Sequence, residues 1–455
     1  MSELNLEKIK LNIFGRSHGD HIGFELEGIP SGHRIDFDRL ADYCRRRRPS
    51  DAVYSTARKE SDTPVFVSGF NGNVTDGNTI RAVIANENAI SSDYDVIKDV
   101  PRPSHADYTA YVKYGKDRDY RGGGEFSGRM TAPLCIAGGI CAQILESMSV
   151  KIISHLASVG EINDDPFDLT NPLCSLPLRD TLPVSLETAE QKILAVIKEA
   201  AEKGDSIGGV IETAVVGVPA GIGGPGFESL EGKISNALFG IPAVHGVEFG
   251  KGFKLAEMNG SSANDPFIIS DGQIKTSTNN SGGINGGISN GMPIIFRAAM
   301  RPTPSISIEQ NSVSLSTLES RKLSLKGRHD PCLAVRALPA IESATALVIL
   351  DSLLSEQKGE DTLASLRGEI DEIDSGLCKL FAKRMEVSKK IAAVKRKEGI
   401  SVTDKSRETT VKERVASRLG ENLAPYGEEL WDKLFELSKR AQKAALTDTE
   451  KDKND

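Results

Sequence analysis

Apolar and polar positions follow two different patterns along this chain, and the pattern changes near Leu350. Before that point, short β-rich runs such as Pro64–Phe70 and Gly209–Val218 alternate with helical stretches such as Leu186–Lys203. Nearly all the glycines and prolines lie here, and this mixture predicts an α+β fold with many short strands and turns. The segment Asn279–Gly291, NNSGGINGGISNG, is too glycine-rich for a regular element and reads as backbone that turns tightly or approaches a ligand. The polar stretch Ser355–Thr362 reads as a linker. Beyond it, Leu366, Ile370, Ile373, Leu377, Leu380, Arg384, Val387, Ile391 and Val394 are spaced by alternating fours and threes, one face of a long helix. Gly399 is expected to end that helix. Two further amphipathic stretches follow, about Asp404–Leu419 and Tyr426–Ala445, with Pro425 near the break. The predicted organisation is therefore an α+β domain over 1–352, a linker over 353–361, a three-helix all-α domain over 362–446 and a frayed, disordered tail over 447–455.

At 455 residues the chain exceeds one typical domain, in keeping with that division. No stretch approaches the roughly 20 apolar residues needed to span a bilayer, and the N-terminal residues lack a secretory pattern. The expectation is a cytoplasmic protein with no membrane association. Six cysteines are scattered without a CxxC pair, so neither a disulfide frame nor a zinc site is suggested. The net charge of −8 argues against nucleic acid as a partner. Arg45, Arg46, Arg47 and Arg48 interrupt this acidic background with a local cluster suited to a small anion.

Three blocks place titratable groups beside glycine or proline. FGRSHG carries His18, PRPSHADYT sets His105 between Arg102 and Asp107, and GRHDPC joins Arg328, His329 and Asp330. Taken singly, a histidine in a loop is ordinarily a surface or hydrogen-bonded structural residue. A metal site at His18 and His21 lacks an HExxH motif, a cysteine pair or a carboxylate cluster to complete it, so no metal is expected. No GxGxxG follows a strand, so no dinucleotide site is expected.

Together these blocks resemble chorismate synthase. FGRSHGDHIGFELEGIPSG, CRRRRPSDAVYSTARKESD, KDVPRPSHADYTAYVKYGKDRDYRGGGEFSGRMTA, IPAVHGVEFG, TNNSGGINGGISNG, MRPTPSI and GRHDPCLAVRALPAIESA match it in order and spacing from about Leu6 to Ser352. The resemblance implies a β-α-β sandwich, usually tetrameric, that converts 5-enolpyruvylshikimate 3-phosphate to chorismate by 1,4-anti elimination of phosphate, with reduced FMN as cofactor. It assigns the general acid to His18, a flavin-side histidine to His105 and proton removal from C6 to Asp330. Arg48, Arg58, Arg129 and Arg328 fall at substrate-binding positions, and planar, permanently charged guanidinium groups suit a substrate with a phosphate and two carboxylates. Arg102, Ser127, Gly128, Ala243, Arg301 and Ser305 fall on flavin-pocket blocks, with Arg328 able to bridge flavin and substrate. The chain departs from the family pattern at Arg16, Val53 and Arg301, which bears on substrate contacts more than on the reaction.

The long helix holds its own anomaly, since Arg384 interrupts the apolar seam and Lys395 lies 11 residues on, on the same face. A helix-to-helix salt bridge or a snorkelling side chain would account for one such cation; two suggest a ligand with separated negative groups. LASLRGEIDEIDSGLCKLFAKRMEVSKKIAAVKRKEGISVTDKSRE and the later LFELSKRAQ resemble the all-helical (type II) chorismate mutases. That resemblance implies a cofactor-free rearrangement of chorismate to prephenate. Arg367, Arg384 and Arg407 would clamp the carboxylates, Lys395 and Gln442 would reach the ether oxygen, Glu408 would hold the hydroxyl, and Asp404 and Ser438 would support them. Arg367 precedes Lys395 by 28 residues, roughly 42 Å along a straight helix and about 80° away around it. It cannot share a pocket with Lys395 on one chain, and the family's intertwined dimer supplies it from the partner. The alternative is a non-catalytic dimerisation or ligand-sensing module.

Overall fold

Two antiparallel five-stranded sheets form the outer layers of the first unit. One contains β1 (Ser2–Asn5), β2 (Lys10–Gly15), β3 (His21–Glu27), β4 (Val65–Ser68) and β5 (Ile80–Ala85) in the order β1-β2-β3-β5-β4. The other contains β6 (Lys151–Val159), β7 (Ile162–Asn163), β8 (Gly209–Val216), β9 (Val244–Phe249) and β10 (Ile294–Met300) in the order β9-β10-β8-β6-β7. In β3, Ile22, Phe24 and Leu26 alternate onto the buried face, and Ile80, Ala82 and Ile84 of the neighbouring strand do the same. This computed structural model describes residues 2–48, 62–86, 96–115, 118–175, 182–270, 272–325, 330–356, 363–399, 401 and 404–451. The chain divides into two compact units, Met1–Gln357 and Lys358–Asp455.

Between the sheets of the first unit run α1 (Phe37–Arg45), α3 (Thr131–Ser147), α5 (Leu230–Phe239) and α7 (Ala334–Glu356), with α2 (Asp107–Tyr114), α4 (Glu187–Glu202) and the one-turn α6 (Gly260–Ala263) placed around them. α3 packs on the first sheet and on α7, while α7 packs on β6 and β8 of the second. That is the predicted β-α-β sandwich. Gly138 and Gly139 let α3 fit in this layer. A Cβ at Gly138 would sit 2.2 Å from Ser343 Cβ of α7, and one at Gly139 would sit 2.6 Å from Leu40 of α1. Two helical stretches, Gly128–Ser147 and Ala334–Glu356, are apolar and long enough to cross a membrane by composition alone, and both are mostly buried in this layer. Asp351, fully buried on α7, accepts from the backbone N–H groups of Glu7, Lys8 and Ile9 at 3.3, 2.7 and 2.8 Å and so ties the N-terminal loop to the core.

In the second unit α8 (Leu363–Glu398) is one uninterrupted 36-residue helix, followed by α9 (Lys405–Lys451), whose two helical arms meet at Gly420. Three helical segments result, as the periodicity predicts. Gly399, at φ 69°, ends α8.

Three sequence boundaries are corrected. α7 continues to Glu356, so residues 353–356 are helix and not linker, because Leu353 and Leu354 extend its apolar contact with the core. The remainder of that linker, 357–361, lies outside the described residues. The break in α9 is at Gly420, whose φ of 70° and ψ of 170° suit glycine alone, and Pro425 lies within the following helix. Finally, α9 runs on to Lys451, where a disordered tail is expected from 447; residues 452–455 are outside the described set.

Candidate functional site

The four consecutive arginines at the end of α1 go to four environments. Asp36 caps the start of the helix, accepting from the backbone of Asp38 and Arg39 at 3.0 and 3.1 Å, and the basic residues sit at the opposite, electronegative end. Arg45 pairs with Asp42 on the surface. Arg46 makes a two-point pair with the buried Glu342 of α7 at 2.7 and 2.9 Å. Arg47 is buried, bonded to Asp62 and 3.4 Å from Thr131 Oγ1. Arg48 is half-buried.

A cleft of about 700 Å³ opens in this unit. Arg102, His105, Ser127, Gly128 and Arg129 reach it from the segments leading into α2 and α3. Ala243, Arg301 and Ser305 reach it from the start of β9 and the end of β10, and Asp330 from the approach to α7. Nine positions predicted from four separated blocks therefore converge. Arg48 is not among the lining residues; its neighbour Arg47 is. His18 is also buried without lining the cleft, in a turn whose Ser17 hydroxyl donates to Arg121 O at 3.5 Å. Arg16 is exposed. Arg58 and Arg328, with Val53 and His329, lie outside the described residues.

Two buried ionic networks organise the cleft. In the first, Asp107 accepts from Arg102 Nε at 2.7 Å and Nη2 at 2.8 Å, and lies 2.7 Å from His105 Nδ1. Arg102 Nη1 donates to Ser305 Oγ at 2.9 Å. Burial alone would raise the Asp107 carboxyl, but hydrogen bonds from Arg102 and His105 outweigh it and hold the group well below the usual carboxylate range. Burial lowers His105, with Arg102 and Arg301 adding to the effect and Asp107 opposing it. In the second network, Asp62 joins Arg47 to Arg129, whose Nε also donates to Asn86 Oδ1 at 3.1 Å. Arg336, on the first turn of α7, donates to Asp330 Oδ2 at 2.5 Å and to Arg47 O at 2.9 Å. Ser104 (φ 59°) and Ala243 (φ 75°), both lining the cleft, and Asp62 (φ 49°) adopt left-handed backbone that costs a residue with a Cβ of order 1 kcal/mol or more.

Sequence reasoning singled out Arg48 of the arginine run where Arg47 lines the cleft, and it missed Asp62 and Arg336. Arg336 stands in the quoted block six residues after Asp330, but nothing in the sequence shows that the helix start turns it back onto that carboxylate. Thr303 is a further omission: it lines the cleft, and its buried hydroxyl has no hydrogen-bond partner among the described residues.

In the second unit Arg384 of α8 donates to Leu434 O at 3.1 Å and to Ser438 Oγ of α9, and stacks 5.9 Å over the Phe435 ring. Burial lowers its guanidinium from the ordinary value. Ser438 and Gln442, one turn apart on α9, are both buried, and Gln442 Oε1 has no partner among the described residues. Asp404 Oδ1 accepts from Arg407 N at 2.9 Å and caps α9, while Glu408 pairs with Lys439 at 2.9 Å. Lys439 was not foreseen. Lys395 Nζ donates to Ser401 O at 3.0 Å. Arg367 is exposed on the same helix as Lys395. The seam residues Ile370, Ile373, Leu377, Leu380, Val387, Ile391 and Val394 are 43–66% exposed, so among the described residues of the unit nothing covers this long apolar face.

Comparison with known proteins bears on both units. Residues 9–354 match the family model for chorismate synthase, and residues 366–443 match the model for chorismate mutase type II. A chorismate synthase of Lancefieldella parvula is 43% identical over 369 residues, covering 77% of this chain and 97% of that protein. One from Thermococcus gammatolerans is 40% identical over 358 residues, covering 77% of this chain and 98% of that protein. A solved structure, a crystal structure of chorismate synthase, superposes with a TM-score of 0.61 at 26% identity, covering 81% of this chain and 98% of that one. The chain belongs to the chorismate synthase family, and it carries a type II chorismate mutase domain after the synthase.

Proposed function

We propose that the two units catalyse consecutive reactions, from 5-enolpyruvylshikimate 3-phosphate to chorismate with reduced FMN in the first and from chorismate to prephenate in the second. The observation that carries this reading is the convergence of Arg102, His105, Ser127, Gly128, Arg129, Ala243, Arg301, Ser305 and Asp330 on one cleft. A cleft of about 700 Å³ is within the usual range for a small-molecule site. It fits a flavin phosphate and an anionic substrate together: arginines line it, and the Thr303 hydroxyl is buried without a partner among the described residues. Arg102, His105, Ser127, Gly128, Ala243, Arg301 and Ser305 would hold the cofactor, which when bound supplies transient electron density to the elimination. Arg48, Arg58, Arg129 and Arg328 would hold the substrate's phosphate and carboxylates, and the buried Arg47 joins this group by its place in the cleft.

Elimination breaks the C3–O bond to phosphate and the C6–H bond. In this reading His18 gives a proton to the departing phosphate and Asp330 receives the C6 proton, held in place by Arg336. In the second unit the concerted rearrangement needs only a held conformer and stabilised charge. Arg384, Arg407 and a partner chain's Arg367 would grip the carboxylates. Lys395 and Gln442 would meet the ether oxygen, Glu408 the hydroxyl, with Asp404 and Ser438 in support. The bare apolar seam and the roughly 42 Å between Arg367 and Lys395 on one continuous helix support a dimer of this unit.

His18→Ala and His105→Ala, assayed for phosphate release with chemically reduced FMN and separately for prephenate formation from chorismate, test the assignment. Each should lower elimination by about 100-fold or more and leave the mutase rate unchanged. Equal losses in both activities, or none in elimination, would contradict it.

A further inference from the structure

Asp107 is the first residue of α2, two residues after His105, and its carboxylate is buried. Oδ2 accepts from Arg102 N and Nε at 3.0 and 2.7 Å; Oδ1 accepts from Arg102 Nη2 at 2.8 Å and lies 2.7 Å from His105 Nδ1. Arg102 Nη2 is itself 3.0 Å from that same Nδ1. A guanidinium only donates and a carboxylate only accepts, so a neutral imidazole must choose between them. With a bare Nδ1, its lone pair would face a carboxylate oxygen at 2.7 Å. With Nδ1–H, the ring donates to Asp107, and Arg102 Nη2 keeps its bond to the same oxygen. The second arrangement removes the repulsion and leaves no carboxylate contact unmade.

We propose that Asp107 is a positioning residue for the elimination, fixing His105 as the Nδ1–H tautomer and leaving Nε2 as the atom that takes up a proton. Nε2 looks toward Gly123, which has φ +88°; a Cβ there would stand 3.5 Å from it. His105 itself lines the cleft, together with Glu125 to Gly128, so the ring borders that space with the Gly123 backbone beside Nε2. Protonated at Nε2, the ring carries a positive charge backed by a carboxylate and can stabilise an anionic cofactor; this deepens, and rests on, the cofactor-holding role proposed for His105. Burial opposes that charge most, and the other charged groups acting on the ring, Arg102 and Arg301, add to the opposition. Asp107 is the counterweight. An aspartate that orients a histidine through Nδ1 so that Nε2 does the proton chemistry is a general solution in enzymes.

The test is nitrogen NMR of the full chain labelled with ¹⁵N only in histidine, with His105→Gln identifying the ring among the seven histidines. The free protein should show His105 protonated at Nδ1. In Asp107→Ala, Arg102 remains to donate to Nδ1, so the ring should switch to Nε2–H, and Asp107→Glu should restore the wild-type tautomer. Phosphate release by Asp107→Ala should fall about 100-fold or more, with the alkaline limb of its pH profile moved to lower pH. A wild-type ring already protonated at Nε2, or a tautomer and pH profile unmoved in Asp107→Ala, would overturn the proposal. If Asp107→Ala does not fold, the wild-type and Asp107→Glu spectra decide it. An inactive wild type with the Nδ1–H ring would overturn the reaction assigned to the cleft while leaving the tautomer assignment standing.

Discussion

Replacing His155 by leucine removes the centre of a buried polar triad in the first unit, far in sequence from every cleft residue. His155 on β6 is fully buried, with Nδ1 3.0 Å from Asp164 Oδ2 and Nε2 3.0 Å from Glu212 Oε2 on β8. The carboxylates also hold the neighbouring chain. Asp164 accepts from Ser185 N and Leu186 N at 2.6 and 2.9 Å, and Glu212 from Phe167 N at 2.7 Å. Burial lowers the imidazole's affinity for a proton, but hydrogen bonds and charge from Asp164 and Glu212 outweigh it and raise its pKa. An imidazole between two acceptors satisfies both only when doubly protonated. Leucine leaves two buried carboxylates near each other without their shared cation, a loss of about 3–5 kcal/mol. The ring contact with Phe167, centroids 4.4 Å apart, adds up to about 1 kcal/mol. At about 2 °C per kcal/mol, the first unit should melt roughly 6–12 °C lower. The sign with pH is fixed by the direction of the shift. A raised native pKa gives stability that is fully present below about pH 6.5 and is lost as pH rises through the native value, by at most about 1.4 kcal/mol per pH unit. Melts between pH 5.5 and 8.5 by circular dichroism should show this loss in the wild type and a flatter profile in His155→Gln. The single tryptophan, Trp431, lies in the second unit, and its fluorescence transition should not move. A change below about 1 kcal/mol, with an unaltered pH profile, would refute the charged-triad reasoning.

Gly138→Ala should destabilise the first unit by about 1–3 kcal/mol in denaturant titration, because the new Cβ would lie 2.2 Å from Ser343 Cβ at the crossing of α3 and α7; a neutral result would mean the helices separate without cost. Arg384→Ala should lower mutase kcat/KM by about 100-fold or more while phosphate release is unchanged, since the guanidinium is proposed to face charge in the rearrangement. Arg367→Ala and Lys395→Ala, each inactive as mutases, should regain activity when unfolded and refolded together, because mixed dimers would hold one complete site; no recovery would rule out a shared site.

How much of this was legible in the sequence follows from what each kind of residue needs. His105 and Asp330 stood out as titratable groups beside glycine or proline, whereas Ser127, Ala243 and Arg301 came only from the resemblance of their blocks to chorismate synthase; all five line the one cleft. Arg384 could be found because a cation on an apolar seam breaks a regular pattern. The choice between Arg47 and Arg48 could not be read, since it depends on how α1 ends and on Asp62, 15 residues away in sequence, bonding to Arg47. Arg336 was hidden for a similar reason, as its partners Asp330 and Arg47 O meet only when α7 docks beside α1. Lys439 lies on a helix where lysine is unremarkable, and only the crossing of the α9 arms brings it to Glu408. The helix boundaries at Glu356 and Gly420 show the same limit, because polar composition marked a linker where packed leucines extend α7, and a proline drew the break away from the glycine that makes it.

The most direct test of the central claim incubates the purified full chain with 5-enolpyruvylshikimate 3-phosphate and chemically reduced FMN, following inorganic phosphate and prephenate together. The account predicts phosphate release that depends on the reduced flavin, with prephenate appearing in equal amount and chorismate passing through as an intermediate. Phosphate accumulating with chorismate and no prephenate would contradict a catalytic second unit, and the absence of both products would contradict the account as a whole.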